Sequence, residues 1–293
     1  MEAYFVTRKK VALVTHTGSD LPLDEAEKLG IFMIPDKVLF GEDEYRNMTE
    51  ISADDFYTQL AEAAQLPTSS QPSLGDFVKT YRRAAADADE VLCLMITSKM
   101  SGCYAAAVSA AQMVKRQGLD VPVYVYDTQQ CSHGMAQMVR AAAELAGAGL
   151  SSCEIMEKLT ALQPKMGVYI VLESLENARK GGRVGAVTAM AADALGVKPV
   201  LVFKDGLIRD YAIARNYEIG MRKVVDAFLK EGSSDMPVTV FHGAAAEKAE
   251  ILRDMILQQA PETEVRMEMV GPVIGIYAGC GCAGIAFMKR ETL

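Results

Sequence analysis

Val91-Leu-Cys-Leu-Met-Ile96, the turn Ser98-Lys-Met-Ser-Gly102, the run from Cys103 to Gly118, and Val121-Pro-Val-Tyr-Val-Tyr-Asp127 together decide the fold. The first six residues are continuously apolar and of strand length, the pattern of a strand buried on both faces. CYAAAVSAAQMVKRQG is of helix length, carries Lys115 and Arg116 near its end, and is closed by Gly118. VPVYVYD is again short, β-branched and aromatic. Strand, long helix, strand is the signature of a parallel crossover unit.

The alternation extends in both directions. Upstream, VALV at 11–14 reads as a strand, with THTGSD and the helix PLDEAEKLG behind it; Pro22 suits a first helical turn and Gly30 its end. IFMIPDKVLF is expected to be extended. Ser52 caps the next predicted helix, with Asp55 in its first turn and Ile51 stapled onto Phe56. Ser73–Asp76 repeats the device before Phe77 and Tyr81. Downstream come an Ala/Met-rich helix over 134–146 and a helix capped by Ser151 and Glu154 that runs to about Gln163. Beyond 165 the pattern changes. GVYIVLES predicts a strand, GGRVGA a turn, TAMAADALG a short helix, and KPVLVFKDGLIRDYAI two strands about Asp205-Gly206. Helix 217–230, strand 237–241, helix 245–259, strand 264–269 and a Gly-rich terminal strand pair that includes VIGIY complete the reading. The expected fold class is α/β with two α/β domains, 1–163 with a largely parallel sheet and 164–293 with a mixed one.

Composition narrows the function. The chain has 293 residues, of which 50% are hydrophobic and 23% charged, enough to bury a sizeable core. Its formal charge of −8 argues against nucleic acid as a partner, because phosphate binding needs a concentrated basic surface. No apolar run is long enough for an integral membrane segment. MEAYFVTRKK puts its charges after its short apolar stretch and does not read as a signal peptide, so a cytoplasmic location is expected. The six cysteines contain no CxxC pair, and with only His16, His133 and His242 as companions no zinc site is expected; core thiols are the plainer reading. Seventeen methionines fit either ordinary filler or an adaptable apolar cavity.

No complete catalytic motif is present. Gly279-Cys-Gly-Cys-Ala-Gly284 matches GxGxxG, but only nine residues follow it and none continues a dinucleotide fold. P-loop and nucleophile-elbow patterns are absent. What remains is a set of hydroxyl-rich turns read at strand-to-helix junctions: Thr15–Asp20, Thr68-Ser69-Ser70, Thr97–Gly102 and Asp127-Thr128. Such junctions gather at the carboxyl ends of the strands, where helix N-termini suit an anion. Each Ser or Thr alone reads equally as a helix cap.

The segments VTHTGSDLP, FGEDEYRN, PTSSQPS, ITSKMSGCY, VYDTQQCSHG, ARKGGRVG, GVKPVL and VIGIYAGCGCAG, in this order over nearly the whole chain, resemble the DegV family of bacterial fatty-acid-binding proteins that partner a fatty-acid kinase. The resemblance implies a ligand between two α/β domains: a long-chain fatty acid with its carboxylate at the interface and its tail in an apolar tunnel. It implies a carrier rather than an enzyme, with no catalytic residue, no cofactor and no metal. Carried over onto this chain, the carboxylate hydroxyls fall on Ser69, where the family usually has threonine, and on Ser101, with Thr68 and Gly102 beside them. Tyr277 stands where a histidine is common, Gly279 follows in the Gly-rich segment, and His16 stands where an aspartate is usual. Arg183 matches a basic family position, as does Arg215. Arg183 with Arg179 and Lys180 forms the expected docking edge for a kinase partner. A DegV-like carrier of another amphipathic or carboxylate ligand is the alternative, and a hydrolase a more distant one.

Overall fold

The computed structural model describes residues 9–183, 196–233 and 236–290. The predicted short helix TAMAADALG, up to residue 195, and most of the GGRVGA turn lie outside the described residues. The first part of the chain supplies β1 (Lys9–His16), α1 (Leu23–Lys28), β2 (Phe32–Ile34), β3 (Lys37–Phe40), β4 (Asp43–Arg46), α2 (Ala53–Glu62), β5 (Thr68–Ser70) and α3 (Leu74–Ala85). β6 (Ala88–Met95), α4 (Cys103–Arg116), β7 (Val123–Asp127), α5 (Ser132–Gly147) and α6 (Ser152–Leu162) follow. β2, β1, β6 and β7 form, in that order, a wholly parallel sheet. Val91, Leu92, Cys93, Leu94 and Met95 are each fully buried, as a strand covered on both faces requires. The helices pack on this sheet as two pairs, α3 with α4 and α5 with α6.

The caps act as the sequence suggests. Ser52 accepts the N–H of Asp55, while Ser73 with Asp76 and Ser151 with Glu154 form complete capping boxes. Ile51 and Phe56 are both buried in one small cluster. One feature is unanticipated: β3, β4 and β5 form a separate antiparallel sheet. Thr68–Ser70 is therefore an edge strand beside β3 rather than a turn at a strand-to-helix junction. Its short run of hydroxyl residues gave no apolar alternation from which to recognise a strand.

The second part supplies β8 (Met166–Val171), α7 (Glu176–Lys180), β9 (Lys198–Lys204), β10 (Leu207–Ala214), α8 (Tyr217–Glu231), β11 (Val238–His242), α9 (Ala246–Gln259), β12 (Val265–Met269), α10 (Pro272–Ala278) and β13 (Ala283–Met288). Its six strands run β10-β9-β8-β13-β11-β12, with only β11–β12 parallel. Two α/β domains, one parallel and one mixed, are thus present. Strand alternation sorts the mixed sheet's side chains into two cores. Tyr169, Val171, Ile285 and Phe287 join the cluster that contains Val224, Phe228 and Leu252 of α8 and α9. Val168, Leu201, Phe203, Phe241 and Ala286 join a second cluster, whose partly buried members include Met100 and Cys131 of the first domain.

VIGIY is a correction. Residues 272–278 form a helix, so a single strand, β13, ends the fold. Pro272 sits in the first turn, where its missing N–H costs no hydrogen bond, and Gly279 at φ 75° stops the helix. Five apolar residues cannot distinguish a strand from a short buried helix by their pattern alone.

Candidate functional site

β1 has β2 on one side and β6 on the other, so the chain departs from β1 in two directions across the sheet. The crevice at the carboxyl ends of such strands is the usual ligand position in open α/β sheets. His16 ends β1, and the turn 97–102 follows β6. A cavity opens there with about 1000 Å³ of empty space, lined by His16, Asp36, Ser69, Gln71, Ser101 and Gly102 among others. Ser69 reaches it from β5 and Tyr277 from α10. Their hydroxyls lie 2.7 Å apart although the residues are 208 positions apart in sequence. Ser101 accepts the N–H of Cys103 at 3.2 Å, so it serves the start of α4 while facing the cavity. A Cβ on Gly102 would come within 2.7 Å of the Gln71 amide oxygen, so the Gln71 side chain lies directly over this turn.

His16 is held rather than free. Its Nδ1 lies 2.7 Å from Asp36 Oδ2, and its Nε2 faces the N–H of Ile96 at 3.3 Å. The Gly18 N–H also points at Nδ1, at 3.3 Å, but a nitrogen 2.7 Å from a carboxylate oxygen must carry a proton, so Nδ1 donates to Asp36 and Nε2 accepts. Thr17 Oγ1 and the Gly18 N–H also donate to Asp36 Oδ2, at 3.0 and 2.9 Å. Position 16 lacks the acid usual in this motif, and Asp36 of the Pro35-Asp36-Lys37 bend brings one back from another segment. The Cys103 thiol lies 3.7 Å from Asp36 Oδ1, and burial, followed by the Asp36 charge, pushes its pKa far up. His16, Asp36 and Cys103 could in principle ligate a metal. Here they bond to one another, and three ligands fall short of the four of a structural zinc site.

A second compartment adjoins the first. Its wall is almost wholly apolar, and the space within and before it comes to about 700 Å³, open solvent included. Val168, Leu172, Leu201, Phe203, Phe241 and Val270, on the inward face of the mixed sheet and the loops beyond it, form much of that wall. Cys131, Arg183, Ile208, Ile274 and Tyr277 line both compartments and so mark the neck, where the two adjoin. Burial pushes the Cys131 pKa up to about 12, which keeps the thiol protonated and apolar in character. The Arg183 guanidinium lies 4.9 Å from the Tyr277 ring centroid and donates to the Gly181 carbonyl at 2.7 Å. Gly181 itself has φ −78°, outside the left-handed region. Glycine is required there because a Cβ would meet the Tyr277 ring at 2.5 Å; Gly182, at φ 72°, is the turn residue.

Of the residues singled out from sequence, Ser69, Ser101, Gly102, His16, Tyr277 and Arg183 meet at one cavity. Thr68 is exposed on β5 and Gly279 lies against Asn177; neither is among the lining residues. Arg179 and Lys180 are exposed on α7, with Lys180 paired to Glu176, and Arg215 is exposed elsewhere. Asp36, Gln71, Cys131 and Ile208 escaped sequence reading. Asp36 follows a proline in an extended segment, and the others carry no spacing that marks them.

The profile of a family described as "Uncharacterised protein, DegV family" matches residues 10–290. A DegV domain-containing protein of Halalkalibacterium halodurans is 33% identical over 281 residues, covering 95% of this chain and 98% of that protein. The chain belongs to the DegV family. Among solved structures, a DegV family protein from Thermus thermophilus, described for its fatty acid binding, superposes with a TM-score of 0.88 at 31% identity. That match covers 96% of this chain and all of the other. The Bacillus subtilis protein DegV, described as a fatty acid binding protein, gives a TM-score of 0.86 at 26% identity over 96% of this chain and all of that one. A stearic acid-binding protein from Eubacterium ventriosum gives 0.88 at 25%, over 95% and 98% of the two chains. Among the described residues of this DegV protein, no helix is long and apolar enough to cross a membrane.

Proposed function

We propose that the cavity holds a long-chain fatty acid, its carboxylate at Ser69, Ser101 and Tyr277 and its tail in the apolar compartment, and that the protein presents this acid to an acyl kinase. One observation carries the reading: a nearly polar-free compartment shares Tyr277 and Arg183 of its wall with a compartment rich in hydroxyls. A molecule that is apolar over most of its length and anionic at one end matches both chemistries. Burying roughly 14 methylenes at about 0.8 kcal/mol each contributes on the order of 11 kcal/mol before ordering costs. The carboxylate must be met by donors, and Ser69, Ser101, Tyr277 and Arg183 are at hand. His16 is poorly placed as a general base, since its Nε2 already accepts from Ile96; this supports a carrier over a hydrolase. Asp36, an acid within the head compartment, favours as a second reading another amphipathic ligand whose head group also donates a hydrogen bond.

Denaturing extraction of the purified protein followed by mass spectrometry tests the proposal. A saturated or monounsaturated long-chain acid near one per chain is expected. A polar metabolite would favour the second reading, and an empty protein that takes up no added fatty acid would exclude the first. For the kinase step, the exposed Arg179 and Lys180 beside the neck support a docking edge that includes Arg183. Arg183→Glu should slow phosphorylation of the bound acid by a cognate kinase; equal rates for both proteins would dismiss this edge.

A further inference from the structure

The hairpin of β9 and β10 leaves the mixed sheet and fastens onto the other domain. Its tip, Asp205-Gly206, has φ of 53° and 75°, the pair of left-handed residues that a tight two-residue hairpin turn demands. The Gly206 carbonyl accepts the Thr97 hydroxyl at 2.9 Å, and the Asp205 carbonyl accepts Lys99 Nζ at 2.7 Å. The contact is close: a Cβ on Gly206 would stand 2.6 Å from Thr97 Oγ1 and 3.2 Å from Lys99 Cδ. Thr97 is fully buried, and its hydroxyl also accepts the Lys99 N–H at 3.3 Å, within the same turn that carries Ser101. The tip thus grips the head-group turn itself.

The arms of this hairpin are walls of the cavity. Ile208, two residues past the tip, lines both compartments at the neck, and Phe203, two residues before it, lines the apolar one. β10 is the edge strand of its sheet, paired only with β9, with Tyr211 and Ile213 exposed along it. β9 stays laddered to β8, but an edge strand and a tip held by two side-chain bonds can lift with fewer interactions lost. Lifting the tip and the start of β10 would withdraw Ile208 from the neck and loosen the Ser101 turn in one motion.

We infer that the β9–β10 hairpin is the clasp of this cavity: its tip, fastened on Thr97 and Lys99, must release for an acyl chain to enter or leave. The inference rests on the fatty-acid reading of the cavity. A clasp limits exchange in both directions, so weakening it speeds association and dissociation together and leaves their ratio nearly constant. A direct role in holding the head group would instead raise dissociation alone.

The test is stopped-flow exchange of a fluorescent long-chain fatty acid, cis-parinaric acid, on the full chain and on Lys99→Ala, Thr97→Val and Gly206→Ala. Lys99 is exposed, so its variant folds even if the two buried changes prove costly. Lys99→Ala should raise both rates two- to fivefold. Thr97→Val and Gly206→Ala should raise both about tenfold or more, with Kd held within about threefold. Amide hydrogen exchange over residues 203–210 should quicken in the same order. A wild-type chain that binds the probe while all three variants exchange it at the parental rate overturns the clasp and leaves the acyl site standing. So does a rise confined to dissociation. A wild-type chain that binds no acyl probe overturns the acyl reading and the clasp with it.

Discussion

The hydroxyl cluster around Ser69 and the ionic seam around Arg140 both bridge the two domains, but they are satisfied in opposite ways. In the seam, Arg140 of α5 donates twice to Glu25 of α1 at 2.7 Å and once to Glu268 of β12 at 2.6 Å. Glu268 meets His133 Nδ1 at 2.8 Å with its other oxygen, and Ser132 donates to Asp20 at 2.6 Å nearby. Full charges meet full charges, and both carboxylate oxygens of Glu268 are taken. At the cavity, the neutral hydroxyls of Ser69 and Tyr277 pair with one another beside empty space. The difference teaches where binding is to be sought. Buried ions that neutralise each other hold domains in register, whereas clustered hydroxyls beside an apolar chamber leave room for an anion.

The contrast predicts that the two regions separate stability from affinity. Removing one partner of a buried ion pair leaves the rest uncompensated, so Glu268→Gln should cost about 3–5 kcal/mol in urea unfolding while fatty-acid affinity, once folded, stays within about threefold. Burial alone would raise the Glu268 pKa, but His133 and Arg140 overcome it and hold the carboxyl below its usual value. A depressed carboxyl stabilises the fold above the unfolded-state pKa, and that contribution is lost as pH falls through the folded value. The parent should therefore destabilise on acidification more steeply than Glu268→Gln. Equal slopes would remove Glu268 from the account.

Next in size is a change to the apolar compartment. Ala178 lines it from α7 and is 4% exposed. Ala178→Phe should displace about four methylenes of a long chain, roughly 3 kcal/mol or 100-fold in Kd, and spare short acids. A parallel loss for octanoate and palmitate would mean general disruption instead.

Ser101→Ala should weaken long-chain binding roughly tenfold, since a buried anion short of one donor loses about 1.5–3 kcal/mol. Its melting temperature should fall only slightly, through the lost contact with the Cys103 N–H. Unchanged affinity in a titration would move the head group elsewhere in the cavity. The smallest effect is expected at Asp20, whose pKa burial raises against the opposing pull of His133 and Ser132. A raised carboxyl favours the fold at low pH and loses that contribution as pH rises through its folded value. Asp20→Asn should therefore melt at or slightly above the parent at pH 7, and a clear fall would show that the Asp20 charge is used.

The sequence by itself determined the alternation of strands and helices, the capped helix starts at Ser52, Ser73 and Ser151, and the segment order that resembles the DegV family. These are local matters: periodicity, turn chemistry and side-chain-to-backbone bonds act over a few residues and are written in a few residues. It also marked Ser69, Ser101, Tyr277 and His16, though not what each would touch. Only the tertiary structure decided that Ser69 meets Tyr277 across 208 positions and that Asp36 supplies the carboxylate His16 needs. It likewise decided that VIGIY coils into a helix bringing Tyr277 to the neck, and that Thr68–Ser70 pairs as an edge strand. Each outcome depends on contacts between distant segments, whose energies appear in no window of neighbouring residues. The apolar wall is the plainest case: alternation made Val168, Leu201 and Phe203 face one way, and only the other domain's position turned that face into a chamber.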